Sequence, residues 1–326
     1  MLEKFREELE KFEHFFMAAD LPWQSESVCQ YGYRILPSHS EPTAVRGKKN
    51  GLTLMALTHG NELGGIAVLN DVLNWLKEDS SRLKYPMQII LGNPWASLEN
   101  KRFKERDLNR SFDRPSAETH EERRANELEP LLAETAWLLD IHQTIEPAER
   151  PFMIFPYTEG GVHFARQVAP RLPIVTHWGD SFSAEGKCSD EYVNSAGGVG
   201  ITIELGQNGI QPYQVAVGVQ ACLNAMDAVS LYHKNKSVEP RLEEAEIFTW
   251  GQVVPWPEND SVLDEGWYNF KEVKKGEKLG GSNSDPIIAE LDGAVLFPKY
   301  LRKSTTRKPT EICRIMKKVQ ASELGQ

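Results

Sequence analysis

Six short apolar runs limit what this chain can become. They are "LTLMALT" (52–58), "MQIILG" (87–92), "AWLLDIH" (136–142), "PFMIFP" (151–156), "PIVTHW" (173–178) and "GITIEL" (200–205). In each run apolar residues follow one another instead of alternating with polar ones, as in strands covered on both faces. Helical spacing occupies the intervals 64–78, 118–134, 160–169 and 212–233. Within the second of these, "THEERR" sets Thr119 and Glu122 at capping-box spacing. Strands that alternate with helices in this way predict an α/β sheet with helices on both faces.

The two ends of the chain read differently. Leu2, Phe5, Leu9, Phe12, Phe15 and Phe16 lie at helical spacing on a charged background. They predict an amphipathic helix that docks on the body or on a second copy in a homo-oligomer. After "LYHKNKSVEPR" the helical patterns stop, and "EGWYNFKEVKKGEKLGGSNSDPIIAELDGAVLFPKYL" offers brief apolar segments between Gly-rich turns. This predicts a smaller β-sandwich or barrel over 237–326, beside a larger domain over 1–236. Its "KKGEKLG…DGAVLF" pattern loosely matches biotinyl/lipoyl-type sandwiches in architecture, without the exposed Met-Lys turn of those carriers.

A net charge of −10 argues against nucleic acid or an anionic membrane surface as partner. The opening "MLEKFREELEKFEHFF" is charged throughout, which excludes a secretory leader within it. No apolar run approaches the ~20 residues of a membrane span. Cys29, Cys188, Cys222 and Cys313 are far apart and form no C-x-x-C pair, so they read as reduced packing cysteines of a cytoplasmic protein.

Polar clusters fall at the ends of the expected strands: His59 with Glu62, Asn93 with "KRFKERDLNRSF", Asp140 with His142, and Glu204. In open α/β sheets, ligands bind at the carboxyl edge. "THGNELGG" places His59 and Glu62 three apart where a strand turns into a helix, and His142 can join them from a neighbouring strand. Two histidines and one carboxylate make a catalytic zinc set that keeps a fourth position open; cobalt or manganese suits the same donors. His59 and Glu62 taken alone fit a capped helix start equally well. Asp140 shares a strand face with His142 and is placed to orient it. Arg102, Asn109 and Arg110 are donors suited to carboxylate oxygens, and an arginine beside a metal can stabilise an oxyanion; the alternative is a solvated charged loop. Glu204 in "VGITIELGQNG" sits in apolar surroundings that raise a carboxyl's pKa and suit a general base. The alternative there is a salt-bridged structural glutamate.

Taken in order, "HGNE", "GNPWA…KRFKERDLNRSF", "LLDIHQT" and "ITIELGQNG" resemble the succinylglutamate desuccinylase/aspartoacylase family, relatives of the zinc carboxypeptidases. The resemblance spans roughly 50–235, and the trailing β region fits it. It implies a zinc-carboxypeptidase-like mixed sheet and one Zn²⁺ held by His59, Glu62 and His142. It further implies Glu204 as the base, Arg102 as oxyanion stabiliser, and Asn109 with Arg110 as the clamp on a substrate carboxylate. The implied activity is hydrolysis of an N-acyl amino acid amide. Release of a C-terminal residue from a short peptide is the alternative use of such a site, and a binding module without catalysis is a third.

One departure bears on the substrate. Members that act on dicarboxylic substrates tend to carry a further arginine ahead of the catalytic glutamate, whereas here the loop reads "SDEYVNSAGGVGITIE", without Arg or Lys. Tyr192 and Asn194 are its only sizeable donors, and Lys187 and Tyr300 are the other candidates to reach the cleft. A second substrate carboxylate left unpaired in a buried site costs several kcal/mol. The expected substrate is therefore a neutral or differently charged N-acyl amino acid. His120, His163, His177 and His233 have no partners at ligand spacing, and Cys188 has no evident base, so all five read as non-catalytic.

Overall fold

The computed structural model describes residues 2–18, 20–37, 47–177, 185–233, 245–258, 261–301 and 310–324. The boundary expected at 236/237 lies outside these residues, as do 178–184 and 302–309. In the larger part, β1 (Trp23–Cys29), β2 (Gly32–Pro37), β3 (Asn50–Ala56), β4 (Met87–Leu91), β5 (Thr135–Thr144), β6 (Phe152–Pro156), β7 (Ile174–His177) and β8 (Val199–Gln207) are interspersed with helices, and from β3 on all but β5 and β6 are separated by at least one. These helices are α1 (Leu2–Met17), α2 (Gly64–Glu78), α3 (Pro94–Leu98), α4 (His120–Ala133), α5 (Glu159–Val168), α6 (Ser189–Ser195) and α7 (Pro212–His233). β9 (Ile247–Pro255), β10 (Glu272–Val273), β11 (Lys278–Gly281), β12 (Pro286–Ile288), β13 (Gly293–Leu296) and β14 (Glu311–Val319) complete the chain.

Twelve strands form one mixed sheet in the order β1-β2-β4-β3-β5-β8-β6-β7-β9-β14-β13-β10. β4, β3, β5 and β8 run parallel. Every residue of β3, β4 and β5 is buried, and all of β8 up to Gly206, because helices cover both faces. From β3 the chain goes to β4 on one side and later to β5 on the other, which opens a crevice at the carboxyl ends of β3 and β5.

Strand periodicity sorts the side chains of β5 and β8. Trp137, Leu139 and Ile141, with Ile201 and Ile203, join the core shared with α1, α2, α5 and α7. Leu138 faces the opposite core, shared with α4 and α6, and Asp140 and His142 follow it at steps of two. Across the ladder His142 pairs with Glu204, so both reach the α4/α6 face at the crevice.

The N-terminal helix forms and buries Phe5, Leu9 and Phe12. It lies on the body of its own chain, where Asn70 Nδ2 of α2 donates to Glu8 O at 2.9 Å. The Thr119/Glu122 capping box closes the start of α4. The sequence reading misses β1, β2, α3 and α6, each too short or too polar to show a clear period. It also understates α7, since 212–232 is long and apolar enough to cross a membrane by length and composition. More than half of that stretch is buried inside the fold, where Cys222, Ala225 and Met226 serve the core.

β9, β14, β13 and β10 continue the main sheet from β7, while β11 and β12 form a separate ladder. Trp256, Trp267, Leu279 and Ile312 form a core of their own there. Phe270 and Leu296 pack with Phe152 of β6, which ties this region to the strand beside Glu204.

Candidate active site

The turn after β3 bends where a left-handed residue is required. Leu57 takes that conformation (φ 56°) although it is not glycine. A buried residue held in sparsely populated backbone space points to a constraint imposed by its surroundings. Thr58, His59 and Glu62 follow and are all buried. Gly60 is needed because a Cβ there would stand 2.5 Å from Ser97 N at the end of α3.

His59 Nδ1 lies 2.8 Å from Glu62 Oε1 and 3.1 Å from His142 Nδ1. His142 Nδ1 is also 3.1 Å from Glu62 Oε2. Two nitrogens bound to one tetrahedral ion stand about 3.3 Å apart, so the two Nδ1 atoms and the carboxylate are spaced as ligands of a single ion. The far nitrogens meet acids: His59 Nε2 is 3.0 Å from Asp107 Oδ1, and His142 Nε2 is 3.0 Å from Asp140 Oδ2. Carboxylates at the outer nitrogen orient metal-binding imidazoles and fix their tautomer. Asp140 is held in turn by the Thr58 hydroxyl at 3.0 Å and by Ser189 Oγ.

The electrostatics fit a cation at this point. Burial opposes ionisation of Glu62, yet the charges of His59 and His142 hold its carboxyl well below the usual range. Asp107 behaves likewise, with burial outweighed by His59 and Arg102. For His142, burial acts downward, but Asp140 and Glu62 raise its pKa well above the ordinary value. The ionised carboxylates of Glu62 and Asp107 lie beside the two imidazoles, surroundings that favour a cation. Nitrogen and carboxylate donors in this number suit Zn²⁺.

Glu204 differs from these acids. It is buried, and its Oε2 has no hydrogen-bond partner. Burial first, then the charge of Glu62, pushes its pKa up to about 8. Such a carboxyl is poised to exchange protons near neutral pH.

Arg102 Nη1 donates to Glu62 Oε1 at 2.9 Å, and Nη2 lies 2.8 Å from His59 Nε2. Asn109 and Arg110 form a short turn against α6. Ser189 N donates to Asn109 Oδ1 at 2.9 Å, which leaves Nδ2 as the outward end of that amide. Arg110 Nη1 donates to Asn109 O and to Cys188 Sγ, the latter at 3.0 Å. Burial, opposed by Arg110, raises the Cys188 pKa well above its ordinary value, so the group is a thiol that packs.

Four further candidates are engaged elsewhere. Tyr192 packs near Phe112, with ring centroids 6.0 Å apart, and Asn194 Oδ1 accepts from Gly200 N at 2.8 Å. Lys187 Nζ lies 2.6 Å from Asp113, and Tyr300 Oη accepts from Trp267 N at 2.9 Å. His120 and His177 pack on Trp95 and Trp250, away from the metal-type set. The side chain of His233 lies outside the described residues.

The sequence reading misses Asp107, Thr58, Ser189 and Gln143. Asp107 sits in the quoted "DLNRSF", but its Oδ1 accepts from Asn109 N at 2.9 Å, the bond of an ordinary turn cap. Its second partner, His59, is visible only in three dimensions. Gln143 N donates to Glu62 Oε2 at 3.0 Å, and the Gln143 Oε1 accepts from Gly64 N at 2.7 Å.

A sequence model of the succinylglutamate desuccinylase/aspartoacylase catalytic domain matches residues 48–228, more than half of the chain. The chain belongs to that family. Within it, succinylglutamate desuccinylase of Ectopseudomonas mendocina is 26% identical over 284 residues, covering 82% of this chain and 84% of that protein. The N-acyl-aromatic-L-amino acid amidohydrolase (carboxylate-forming) of Xenopus tropicalis is 24% identical over 273 residues, covering 77% and 85%. The crystal structure of succinylglutamate desuccinylase from Vibrio parahaemolyticus superposes with a TM-score of 0.69 at 16% identity, over 95% of both chains. This desuccinylase/aspartoacylase fold therefore extends through the C-terminal β region as well.

Proposed function

We infer that this chain is a zinc-dependent amidohydrolase that cleaves the amide of an N-acyl amino acid in the cytoplasm. One observation carries the reading. A buried carboxyl, Glu204, stands across the ladder from His142 with one oxygen unpartnered, beside a histidine–glutamate–histidine set. Membership of a deacylase family supports it, as do four free cysteines for the compartment.

His59, Glu62 and His142 would hold one zinc. Bound there, the ion would supply Lewis acidity, which polarises a carbonyl oxygen and makes water acidic enough to deprotonate near neutral pH. Glu204 takes the proton from the attacking water on Oε2 as the new C–O bond forms. Arg102 donates to the carbonyl oxygen as it becomes an oxyanion. When the C–N bond breaks, Glu204 returns that proton to the departing amine nitrogen. The products are a carboxylate and a free amino acid. Asn109 and Arg110 grip the α-carboxylate of the substrate and set its carbonyl in line.

The substrate side chain on this reading is uncharged. Between residues 185 and 204 the one cation is Lys187, and Asp113 already pairs with it. The name of the Xenopus relative points the same way. The test is a screen of N-acyl amino acids, varied in acyl group and side chain, against the zinc-loaded protein, with free amine as the readout. Amine release from neutral substrates is expected. Turnover confined to dicarboxylic substrates overturns the side-chain assignment, turnover of peptides alone makes the protein a carboxypeptidase, and no turnover of either class removes the hydrolase reading.

A further inference from the structure

Arg102 and Asp107 both meet His59, yet the segment between them has no helix or strand. At one end Gly60 N donates to Arg102 O at 2.8 Å, and at the other Arg110 N donates to Asp107 O at 3.0 Å. Between these points the backbone turns to a single side chain. The N–H groups of Lys104, Glu105 and Arg106 donate to the carboxylate of Glu121, at 2.7, 3.2 and 3.1 Å. A fourth donor is Asn93 Nδ2, 2.9 Å from Glu121 Oε1. Glu121 lies in the first turn of α4 and is fully buried. Its bonds are charge-assisted, the strong class of hydrogen bond. Asn93, one of the polar residues marked at the strand ends, thus serves this anchor and not the metal-type set.

The next residue supplies a contrast. Glu122 is buried on the same helical turn and accepts from Ser116 Oγ at 2.9 Å and from the N–H groups of Glu118 and Thr119 at 3.1 Å. The turn it holds carries none of the site residues.

We propose that Glu121 is a positioning residue for the reaction inferred above: its carboxylate shapes 103–106 so that Arg102 and Asp107 reach His59 and Glu62. The role rests on that reading of the site. A misplacement of about 1 Å in such groups can cost on the order of a hundredfold in rate. Loss of a carboxylate behind a metal-binding histidine typically weakens metal binding by about ten- to a hundredfold.

The experiment compares Glu121→Gln with the matched Glu122→Gln, in the full chain. Glu121→Asp, which keeps the charge, serves as a milder variant should Glu121→Gln fail to fold. The readouts are amide exchange over 103–107, zinc affinity by chelator competition, kcat and KM on the best N-acyl amino acid, and a double-mutant cycle with Arg102→Ala. For Glu121→Gln, exchange over 103–107 accelerates, zinc binding weakens about tenfold and kcat/KM falls about a hundredfold. In that background Arg102→Ala adds little, because the guanidinium is already displaced. Glu121→Asp shifts the same readouts in the same direction by less. Glu122→Gln lowers Tm but leaves the exchange, zinc affinity and kcat/KM unchanged. The proposal is overturned if the two glutamine variants behave alike, or if the losses from Glu121→Gln and Arg102→Ala multiply. Exchange and zinc affinity need no turnover. A wild type that cleaves no acyl amino acid, while Glu121→Gln still loosens 103–107 and zinc, sinks the functional reading and sustains the anchor.

Discussion

His142 and Glu204 stand on neighbouring buried strands, whereas Arg102 and Asp107 stand on a segment without regular structure. The first pair inherits its position from a backbone ladder that any sequence of suitable periodicity would form. The second pair depends on one side chain of α4, Glu121, and on no ladder at all. Groups of the first kind resist local substitution, because the ladder persists when one side chain changes. Groups of the second kind can be displaced by changing a residue that never touches substrate.

The largest expected effect lies on the strand side. Glu204→Gln removes the proton acceptor and leaves its strand intact, so kcat falls by roughly 10²- to 10⁴-fold. Zinc affinity, read by chelator competition, should hold or fall only slightly, because Glu204 is outside the His59, Glu62 and His142 set while a carboxylate beside it favours a cation. A variant with near-normal kcat would mean that another group carries the proton.

Next come the two outer carboxylates, one on each side. Asp140→Asn and Asp107→Asn should each weaken zinc binding by about ten- to a hundredfold. Only Asp107→Asn should also raise KM, because Asp107 caps the turn that carries Asn109. Equal KM values in the two variants would erase the distinction between strand and loop.

A smaller effect is expected where the His59 turn rests on α3. In Gly60→Ala the new Cβ would meet Ser97 N at 2.5 Å and Ala96 C at 2.7 Å, both backbone atoms that cannot rotate away. Overpacking of this kind costs about 1–3 kcal/mol, visible as a lower Tm in thermal melts. An unchanged Tm would show that α3 yields freely.

The mildest test is pH. Burial pushes Glu204 up to about 8, and burial followed by Glu191 pushes Asp190 up to about 7. Both folded values exceed those of an unfolded chain, near 4.3 and 3.9, so the folded state binds these protons more tightly. Their contribution to stability is complete below about pH 4 and is lost as pH rises towards 8. Denaturant melts of metal-free protein should show stability declining across that window, and zinc loading should flatten the part due to Glu204. A rise in stability over the same interval would reverse the sign.

Most of the strand side is legible in the amino-acid order. Runs such as "AWLLDIH" and "GITIEL" announce two-sided burial, so the polar residues that interrupt them are conspicuous. Arg102, Asn109 and Arg110 stand out as donors, but Asp107 reads as a turn cap and Glu121 as part of an ordinary helix start. Their second partners lie far off in sequence: Glu121 is bonded to Asn93, and Asp107 to His59. A pattern of local spacing carries no signal for such pairs. The same limit explains why Lys187 and Tyr300 read as candidates for the cleft although Asp113 and Trp267 engage them.

By itself, then, the amino-acid order determined the α/β class, the helices with clear 3.6-residue spacing, and the identity of the ionisable groups at the strand ends. Those properties follow from burial and periodicity, which act between near neighbours along the chain. Only the tertiary structure decided which of these groups meet: that the Nδ1 atoms of His59 and His142 face each other across Glu62, that Glu204 keeps an unpartnered oxygen, and that one helix carboxylate shapes the arginine loop. Each of these is a contact between remote segments, fixed by how the sheet orders its strands and by which buried charges find a partner.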